Sequence, residues 1–160
     1  MKAVAVDLDA LGDTRRLWQD FLADAARRFA SISPLDPDAL PADRAAAAEE
    51  LDRWAKHGVG DWRHALERFA EDHAPVYLRP SAEANAALRA LAAAGVRIGV
   101  YTDAPEPLAR VALAHLGAER RVDFLETGAG AEERLSAQLG VADVVVAANL
   151  ADLTKINPNG

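Results

Sequence analysis

The chain has 160 residues, 51% hydrophobic and 27% charged, a balance typical of one soluble globular domain. Its 25 acidic residues outnumber its 18 basic ones, and the net charge of −7 argues against nucleic acid as the main partner. No segment approaches the roughly 20 apolar residues of a membrane span, and no cysteine is present. We therefore expect a cytoplasmic protein without a membrane partner, while the oligomeric state stays open.

A short buried strand is predicted at residues 3–8, which read AVAVDL. The strand runs directly into three acids, Asp7, Asp9 and Asp13. Clustered carboxylates repel one another and resist burial unless a cation or bound protons compensate them. Capping of the next helix, by Asp13 or Thr14, is the simplest role for this part of the cluster. For the Asp7 and Asp9 pair, which follows a leading buried strand, we favour a functional role over capping.

Residues 14–75 are predicted to form a helical block. Apolar side chains recur at helical spacing in 13–32, 42–58 and 61–75, with a proline-rich connector at 33–41. Pro75 is expected to end the third helix. The three tryptophans all fall in this block, and we expect them to form a small helical core.

The pattern then alternates between helices and strands. Helices are predicted at 81–95, 105–117 and 131–140, and strands at 96–102, 122–127 and within 143–150. Such alternation predicts a parallel sheet, here an α/β, Rossmann-like three-layer fold with an α-helical cap inserted after the first strand. We expect the first strand between the second and the fourth, with the third strand outside the second.

This arrangement divides the chain into a core, residues 1–13 and 76–153, and a cap, residues 14–75. Residues 154–160 differ in composition from the rest. We expect a truncated end or a non-native tail there, and assign it no function.

Ligands of open parallel sheets bind beyond the carboxyl ends of the strands. Asp7 and Asp9 lie at the first such end, Thr102 and Asp103 at the second, and Asp152 shortly after the fourth. A pair of carboxylates allows one to attack phosphorus as a nucleophile while the other transfers protons. A Mg²⁺ ion would offset the repulsion between carboxylates and phosphate.

The quoted residues also resemble a known family. VAVDLDALGDT, residues 4–14, resembles the first motif of haloacid dehalogenase-like (HAD) hydrolases, hhhhDxDGTLxDS, and RIGVYTDAP, residues 97–105, is similar to the second. Residues 77–117 are similar to the segment that joins cap and second motif in the phosphoglycolate phosphatase and β-phosphoglucomutase branch. The helical block stands where that branch carries its cap.

The resemblance implies roles for five residues. Asp7 would be the nucleophile and a Mg²⁺ ligand, and Asp9 the general acid and base, with its backbone carbonyl on the metal. Thr102 and the Asp103 backbone N–H would bind the phosphoryl oxygens, and Asp152 would be a further metal ligand. The implied substrate is a small phosphorylated metabolite.

The chain departs from the family pattern at three places. The loop after Asp9 is one residue shorter than usual and lacks the Gly-Thr pair. The third motif has no Lys, and Arg134, inside a predicted helix, is the nearest cation. In the fourth motif Ala147 and Ala148 replace Gly-Asp, so that only the last acid remains.

Two functions are therefore open. One is an active Mg²⁺-dependent phosphatase, and the other is a catalytically degenerate relative that binds a small ligand or a partner. Loss of one electrostatic contact to the reacting group commonly lowers a rate by about 10²–10³. Asp7, Asp9 and Thr102 favour the enzyme. A third interpretation, a purely structural domain, leaves the Asp7 and Asp9 pair unexplained. A dehalogenase is the weaker interpretation of the resemblance.

Overall fold

A computed structural model describes residues 2–140 and 142–159. Within them, four parallel strands form one sheet in the order β3–β2–β1–β4. The strands are β1 (Ala3–Asp7), β2 (Arg97–Thr102), β3 (Phe124–Thr127) and β4 (Val144–Ala147). The predicted fold class and strand order are confirmed. The β1 strand lies inside the sheet, between β2 and β4.

Seven α-helices accompany the sheet in the described part of the chain. They are α1 (Arg15–Arg28), α2 (Arg44–Ala55), α3 (Trp62–Tyr77), α4 (Ala82–Ala93), α5 (Glu106–His115), α6 (Ala131–Leu139) and α7 (Leu150–Lys155). Side-chain caps start several of them: Asp43 accepts N–H groups of α2, Asp61 of α3 and Ser81 of α4. None of these helices is long and apolar enough to cross a membrane.

The two faces of the sheet bury different side chains, as the alternation along each strand requires. Val4 and Val6 of β1 belong to the larger apolar cluster, which continues through α4 and α5 into the first three helices. Ala3 and Ala5 of the same strand face α6, where Leu135 is fully buried. The sheet is therefore covered on both faces, as parallel sheets are.

Gly99 of β2 sets the distance between the sheet and α6. A Cβ atom at this position would overlap the side chain of Leu135, so α6 lies as close to the sheet as glycine allows. This close approach brings the first turn of α6, with Glu132 and Glu133, to the carboxyl edge of the strands.

The cap helices enclose an aromatic core. Trp18 of α1 meets Trp62 of α3 edge to face, with ring centroids 6.4 Å apart, and Phe21 meets Phe69 at 5.8 Å. Such pairs add about 0.5–1.5 kcal/mol beyond the burial of their surface. The expectation that the tryptophans form a helical core is confirmed, because Trp18, Trp54 and Trp62 are at most 8% exposed. The α3 helix also packs on α5 and so joins cap to core.

The predicted end of the third helix is wrong by two residues. The α3 helix continues through Pro75 to Tyr77, and the N–H of Leu78 closes it on the carbonyl of Ala74. Pro75 removes one N–H donor from the helix, a cost that proline imposes beyond the first helical turn.

The α7 helix was not predicted. Asn149 caps it, since its Oδ1 accepts the N–H of Asp152 at 2.8 Å, and Leu153 is fully buried. The expected boundary after residue 153 therefore falls inside a helix, to which Thr154 and Lys155 belong.

Candidate active site

A pair of carboxylates stands where β1 ends. Asp7 is the last residue of β1, and Asp9 lies in the single 3₁₀ turn, Leu8–Ala10, that follows. Asp7 caps this turn, since its Oδ1 accepts the N–H of Asp9 at 2.9 Å. Both side chains line one cavity of about 240 Å³. The turn thus brings two acids, spaced by one residue, to the same space.

Both carboxyl groups resist ionisation. Burial raises the pKa of Asp7 despite the hydrogen bond from the Asp9 N–H, and burial together with the charge of Asp7 raises the pKa of Asp9. Among the described residues, Asp9 Oδ1 is buried without a hydrogen-bond partner. Its Oδ2 lies 3.8 Å from Nη2 of Arg15. Such a pair is suited to bind a cation or to keep a proton.

We expect Asp9→Asn to stabilise the fold near neutral pH. The pKa of Asp9 is raised in the folded state above its ordinary value of 3.8, so the ionised carboxyl destabilises the fold above that raised pKa. The amide removes this cost. The gain should be on the order of 1 kcal/mol, a few degrees in Tm, and should vanish as the pH falls to about 4.

Thermal melts in metal-free buffer at the two pH values measure this difference. Asp72→Asn, on the exposed face of α3, is the matched control and should change stability by less than about 0.5 kcal/mol. A Tm of Asp9→Asn at or below that of the wild type at neutral pH would contradict the prediction.

Thr102 and Asp103 lie beside the carboxylates. Thr102 is the last residue of β2, which pairs in parallel with β1, and its side chain is buried. Both residues line the same 240 Å³ cavity as Asp7 and Asp9. The structure therefore brings together four of the five predicted site residues at one edge of the sheet.

The far wall of this cavity is also acidic. Glu132 and Glu133 of α6 line it, and no Lys or Arg is found among its lining residues in the described chain. Burial and then the charges of Asp7 and Glu132 raise the pKa of Tyr101, another lining residue, to about 12. The lining of this cavity is thus acidic.

A cation that the sequence analysis missed reaches the site from α2. Arg44 is 4% exposed and grips Asp103 with three donors: its backbone N–H at 2.9 Å from Oδ2, and Nε and Nη2 at 3.0 and 2.9 Å from Oδ1. Its Nη1 donates to the Thr14 hydroxyl at 2.6 Å, and Nη2 lies 3.5 Å from the Thr102 hydroxyl. A positive charge of the cap is thus fixed against the core.

Two sequence signals could have found Arg44. It stands in the first turn of its helix, where the helix dipole disfavours a cation. It also lies on the stripe of Ala48 and Leu51, which pack inward. A cation on a buried helix face requires an anionic partner, so this pattern predicts that Arg44 pairs with an acid.

Of the two residues expected to cap α1, Asp13 does so through its side chain and Thr14 does not. Asp13 supplies a capping bond, since its Oδ1 accepts the N–H of Arg15 at 2.9 Å. Thr14 occupies the N-cap position without a side-chain capping bond, and its hydroxyl instead accepts Nη1 of Arg44.

Arg134 does not enter the cavity. Its guanidinium donates to the backbone carbonyls of Thr127 and Ala129 and to Glu126 Oε2, and it is exposed on the outer side of β3 and α6. It braces the loop between these elements. The nearest cation by sequence is thus not the one that faces the acids.

A larger cavity of about 960 Å³ lies between cap and core, beside Asp9, Arg44 and Asp103. Its remaining wall comes from α1 and the segment before α2. The wall combines apolar, polar and charged side chains: Arg15, Trp18, Gln19, Leu22, Ala23, Pro37, Asp38, Leu40, Pro41, Ala42 and Asp43. This space can hold an organic group attached to whatever the acids bind.

No protein-family model matches the chain, and no curated protein matches it in sequence. Solved structures do match. CbbY from Rhodobacter sphaeroides, in complex with phosphate, is 17% identical with a TM-score of 0.63, over 91% of this chain and 76% of that one. A HAD phosphatase from Thermococcus onnurineus is 18% identical with a TM-score of 0.53, over 98% and 83%.

A HAD family hydrolase from Deinococcus radiodurans, with bound phosphate and sodium, is 20% identical with a TM-score of 0.50, over 96% of this chain and 77% of that one. The chain has the haloacid dehalogenase-like fold. The resemblance predicted from the motifs is thus confirmed at the level of the fold.

Within this HAD-like fold, Asp152 takes a different position from the acids of β1. Its Oδ2 accepts the N–H of Ala148 at 3.1 Å, and its own N–H donates to Asn149. Asp152 therefore stabilises the turn that follows β4. It does not line the cavity that Asp7 and Asp9 share.

The donors of this HAD-like site fit a divalent cation in part. The unpartnered Oδ1 of Asp9 and the raised pKa of both acids are features that a bound cation would relieve. Residues 2–140 and 142–159 contain no group of three or more His, Cys, Asp or Glu side chains placed to hold a metal. The implied set, Asp7, the Asp9 backbone carbonyl and Asp152, needs only two carboxylates and stays a prediction.

Proposed function

We propose that the protein hydrolyses small phosphomonoesters with the help of Mg²⁺, through an aspartyl-phosphate on Asp7. One observation carries this proposal: Asp7, Asp9 and Thr102 line a single cavity at the carboxyl edge of the sheet. The phosphate bound in two of the structural neighbours supports a phosphorylated ligand here.

The chemistry divides between the two acids. Oδ1 of Asp7 is held by the Asp9 N–H, so Oδ2 is the oxygen that attacks phosphorus. The bond between phosphorus and the leaving oxygen breaks, and Asp9 gives that oxygen its proton. Asp9 then takes a proton from water, whose oxygen attacks phosphorus and releases phosphate and the Asp7 carboxylate.

The environment of Asp9 suits this acid role. Its pKa is raised by burial and by the charge of Asp7, so the carboxyl keeps its proton to a higher pH than a free Asp does. A bound Mg²⁺, held by Asp7 and the Asp9 carbonyl, would supply charge neutralisation for the phosphoryl group. The hydroxyl of Thr102 would bind one phosphoryl oxygen.

The leaving group would occupy the 960 Å³ cavity between cap and core. That cavity opens beside Asp9, the residue that must deliver the proton, and includes both apolar and polar walls. A small phosphorylated metabolite with a polar, organic alcohol portion fits such walls.

A second function is binding of the same class of ligand without turnover. Two observations favour it. Glu132 and Glu133 stand where the cavity would need a cation, and Ala147 and Ala148 stand at the end of β4 where the motif has Gly-Asp. Repulsion between these carboxylates and a phosphoryl group would slow the chemical step more than it would prevent binding in the presence of a cation.

Hydrolysis of p-nitrophenyl phosphate, measured with excess MgCl₂ and again with excess EDTA, tests the proposal. We expect turnover with Mg²⁺ and a loss of at least about 10²-fold on chelation, because the phosphoryl charge is then opposed by the guanidinium groups of Arg44 and Arg15 without a metal ion. Equal rates in the two buffers would contradict metal dependence. Absence of turnover together with Mg²⁺-dependent phosphate binding would favour the binding function.

A further inference from the structure

The pair formed by Arg44 and Asp103 is unequally buried. The side chain of Arg44 is 5% exposed, whereas that of Asp103 is 40% exposed. An unpaired guanidinium at this depth would be costly, so Arg44 needs an anion at all times. Asp103 can turn into solvent at little cost. The anion in this pair is therefore the exchangeable member.

Asp103 also stands at the meeting point of the cavities. It lines the 240 Å³ cavity of the acids, the 960 Å³ cavity between cap and core, and a third cavity of about 430 Å³ beside α2 and α5. Its carboxylate is thus the partition between the proposed phosphoryl site and the proposed leaving-group site.

The guanidinium of Arg44 is within reach of the phosphoryl site. The same nitrogen, Nη2, lies 2.9 Å from Asp103 Oδ1 and 3.5 Å from the Thr102 hydroxyl. An oxyanion seated on that hydroxyl would lie beside Nη2. The Nη1 bond to Thr14 at 2.6 Å would keep the guanidinium plane in place while the anion exchanges.

Hydrogen bonds keep Asp103 charged. Partial burial alone would raise the pKa of this carboxyl, but the N–H and guanidinium donors of Arg44 outweigh it and hold the pKa below the ordinary value. Asp103 is therefore an anion that presents two oxygens to the donors of Arg44, as a phosphoryl group can.

We propose that the Asp103 carboxylate is an internal competitor of the ligand, and that a phosphate group replaces it on Arg44. Arg44 is then the anion receptor that the core itself lacks, and it is delivered by the cap. This inference rests on the proposed function for the site but concerns binding, which can be measured without turnover. The ion pair of Arg44 with Asp103, which joins cap and core, is then replaced by an ion pair of Arg44 with the phosphate group bound at the core.

Titration calorimetry with inorganic phosphate, in excess MgCl₂, tests this exchange. Asp103→Asn keeps a carbonyl oxygen for Arg44 but removes the competing charge, and we expect phosphate to bind about tenfold more tightly. Arg44→Gln should weaken phosphate binding by about tenfold or more. In the Arg44→Gln background, Asp103→Asn should bring no gain, because the two residues act through one contact.

Asp24→Asn is the matched control. Asp24 pairs with Arg27 and Arg28 on α1 and lines none of the three cavities, so its loss changes the net charge and two ion pairs of α1 but no cavity wall. A gain in Asp103→Asn no larger than in Asp24→Asn would overturn the proposal, as would a gain that persists without Arg44. Phosphate binding that is undetectable in both the wild type and Asp103→Asn would overturn it as well.

Further measurements distinguish failure of this inference from failure of the proposed function. If Asp103→Asn does not fold, the Nε–H signal of Arg44 in the wild type, assigned by its loss in Arg44→Lys, should shift saturably with phosphate, and an unmoved signal overturns the exchange. Tighter phosphate binding in Asp103→Asn without any hydrolysis would contradict the proposed phosphatase activity and support Arg44 as the anion receptor. Hydrolysis that depends on Asp7, together with an unchanged phosphate affinity in Asp103→Asn, would support the phosphatase activity and contradict only the exchange of Asp103 for phosphate on Arg44.

Discussion

Asp7→Asn is expected to lower the turnover of a phosphomonoester by at least about 10³-fold, because an amide cannot form the phosphoryl-enzyme bond. The variant should fold well. Its Oδ1 can still accept the N–H of Asp9, and loss of a carboxyl whose pKa is raised by burial removes a cost of the folded state. Steady-state kcat/KM for p-nitrophenyl phosphate in excess MgCl₂ measures the effect, with Asp72→Asn as the control.

The companion variant Asp9→Asn separates the two acids. It should still accept a phosphoryl group on Asp7 from an activated ester such as p-nitrophenyl phosphate, but lose that group to water too slowly for turnover, since no base remains to activate the water. Intact-protein mass spectrometry would then detect one added phosphoryl group. Full activity in Asp7→Asn would end the nucleophile assignment, whatever Asp9→Asn does.

Arg44→Gln is expected to destabilise the fold by about 2–3 kcal/mol, which lowers Tm by roughly 5–10 °C. The substitution removes donors to the Thr14 hydroxyl, the Thr102 hydroxyl and the Asp103 carboxylate at once. The loss lies below that of a fully buried ion pair, because Asp103 can turn to water. Urea unfolding measures the free energy directly.

Arg68→Gln is the matched control, since Arg68 is exposed in the middle of α3. It should change the free energy of unfolding by less than about 0.5 kcal/mol. If Arg44→Gln behaves like Arg68→Gln, then Arg44 does not tie cap to core, and the inference of an anion receptor loses its structural basis.

The sheet and the convergence of the acids could be predicted because both follow from local patterns. Strand and helix alternate along residues 81–150, and parallel strands place their carboxyl ends at one edge. Asp7, Asp9, Thr102 and Asp103 each end or follow such a strand, so their meeting needs no knowledge of packing angles.

Arg44 could not be placed in the same way. Its partners Asp103 and Thr102 are 59 and 58 residues away in sequence, and the contact depends on how the cap docks on the core. No periodicity encodes that docking. The sequence showed a missing cation at the third motif but not that a helix of the cap supplies one.

The α7 helix was missed for another reason. Residues 154–160 differ in composition from the rest of the chain, although the Asn149 cap and the apolar Leu153, which is buried, are ordinary helix signals. A change of amino-acid composition along a chain does not by itself mark the end of ordered structure, since α7 continues into this segment.

The acidic wall that α6 presents to the 240 Å³ cavity makes ligand occupancy conditional. A doubly charged oxyanion that arrives alone meets Asp7, Asp9, Glu132 and Glu133 at close range. If the oxyanion of the proposed function binds here, it therefore needs a cation that arrives first or with it, in addition to the nearby guanidinium of Arg44. The fraction of protein that carries the oxyanion would then depend on the concentrations of both solutes together.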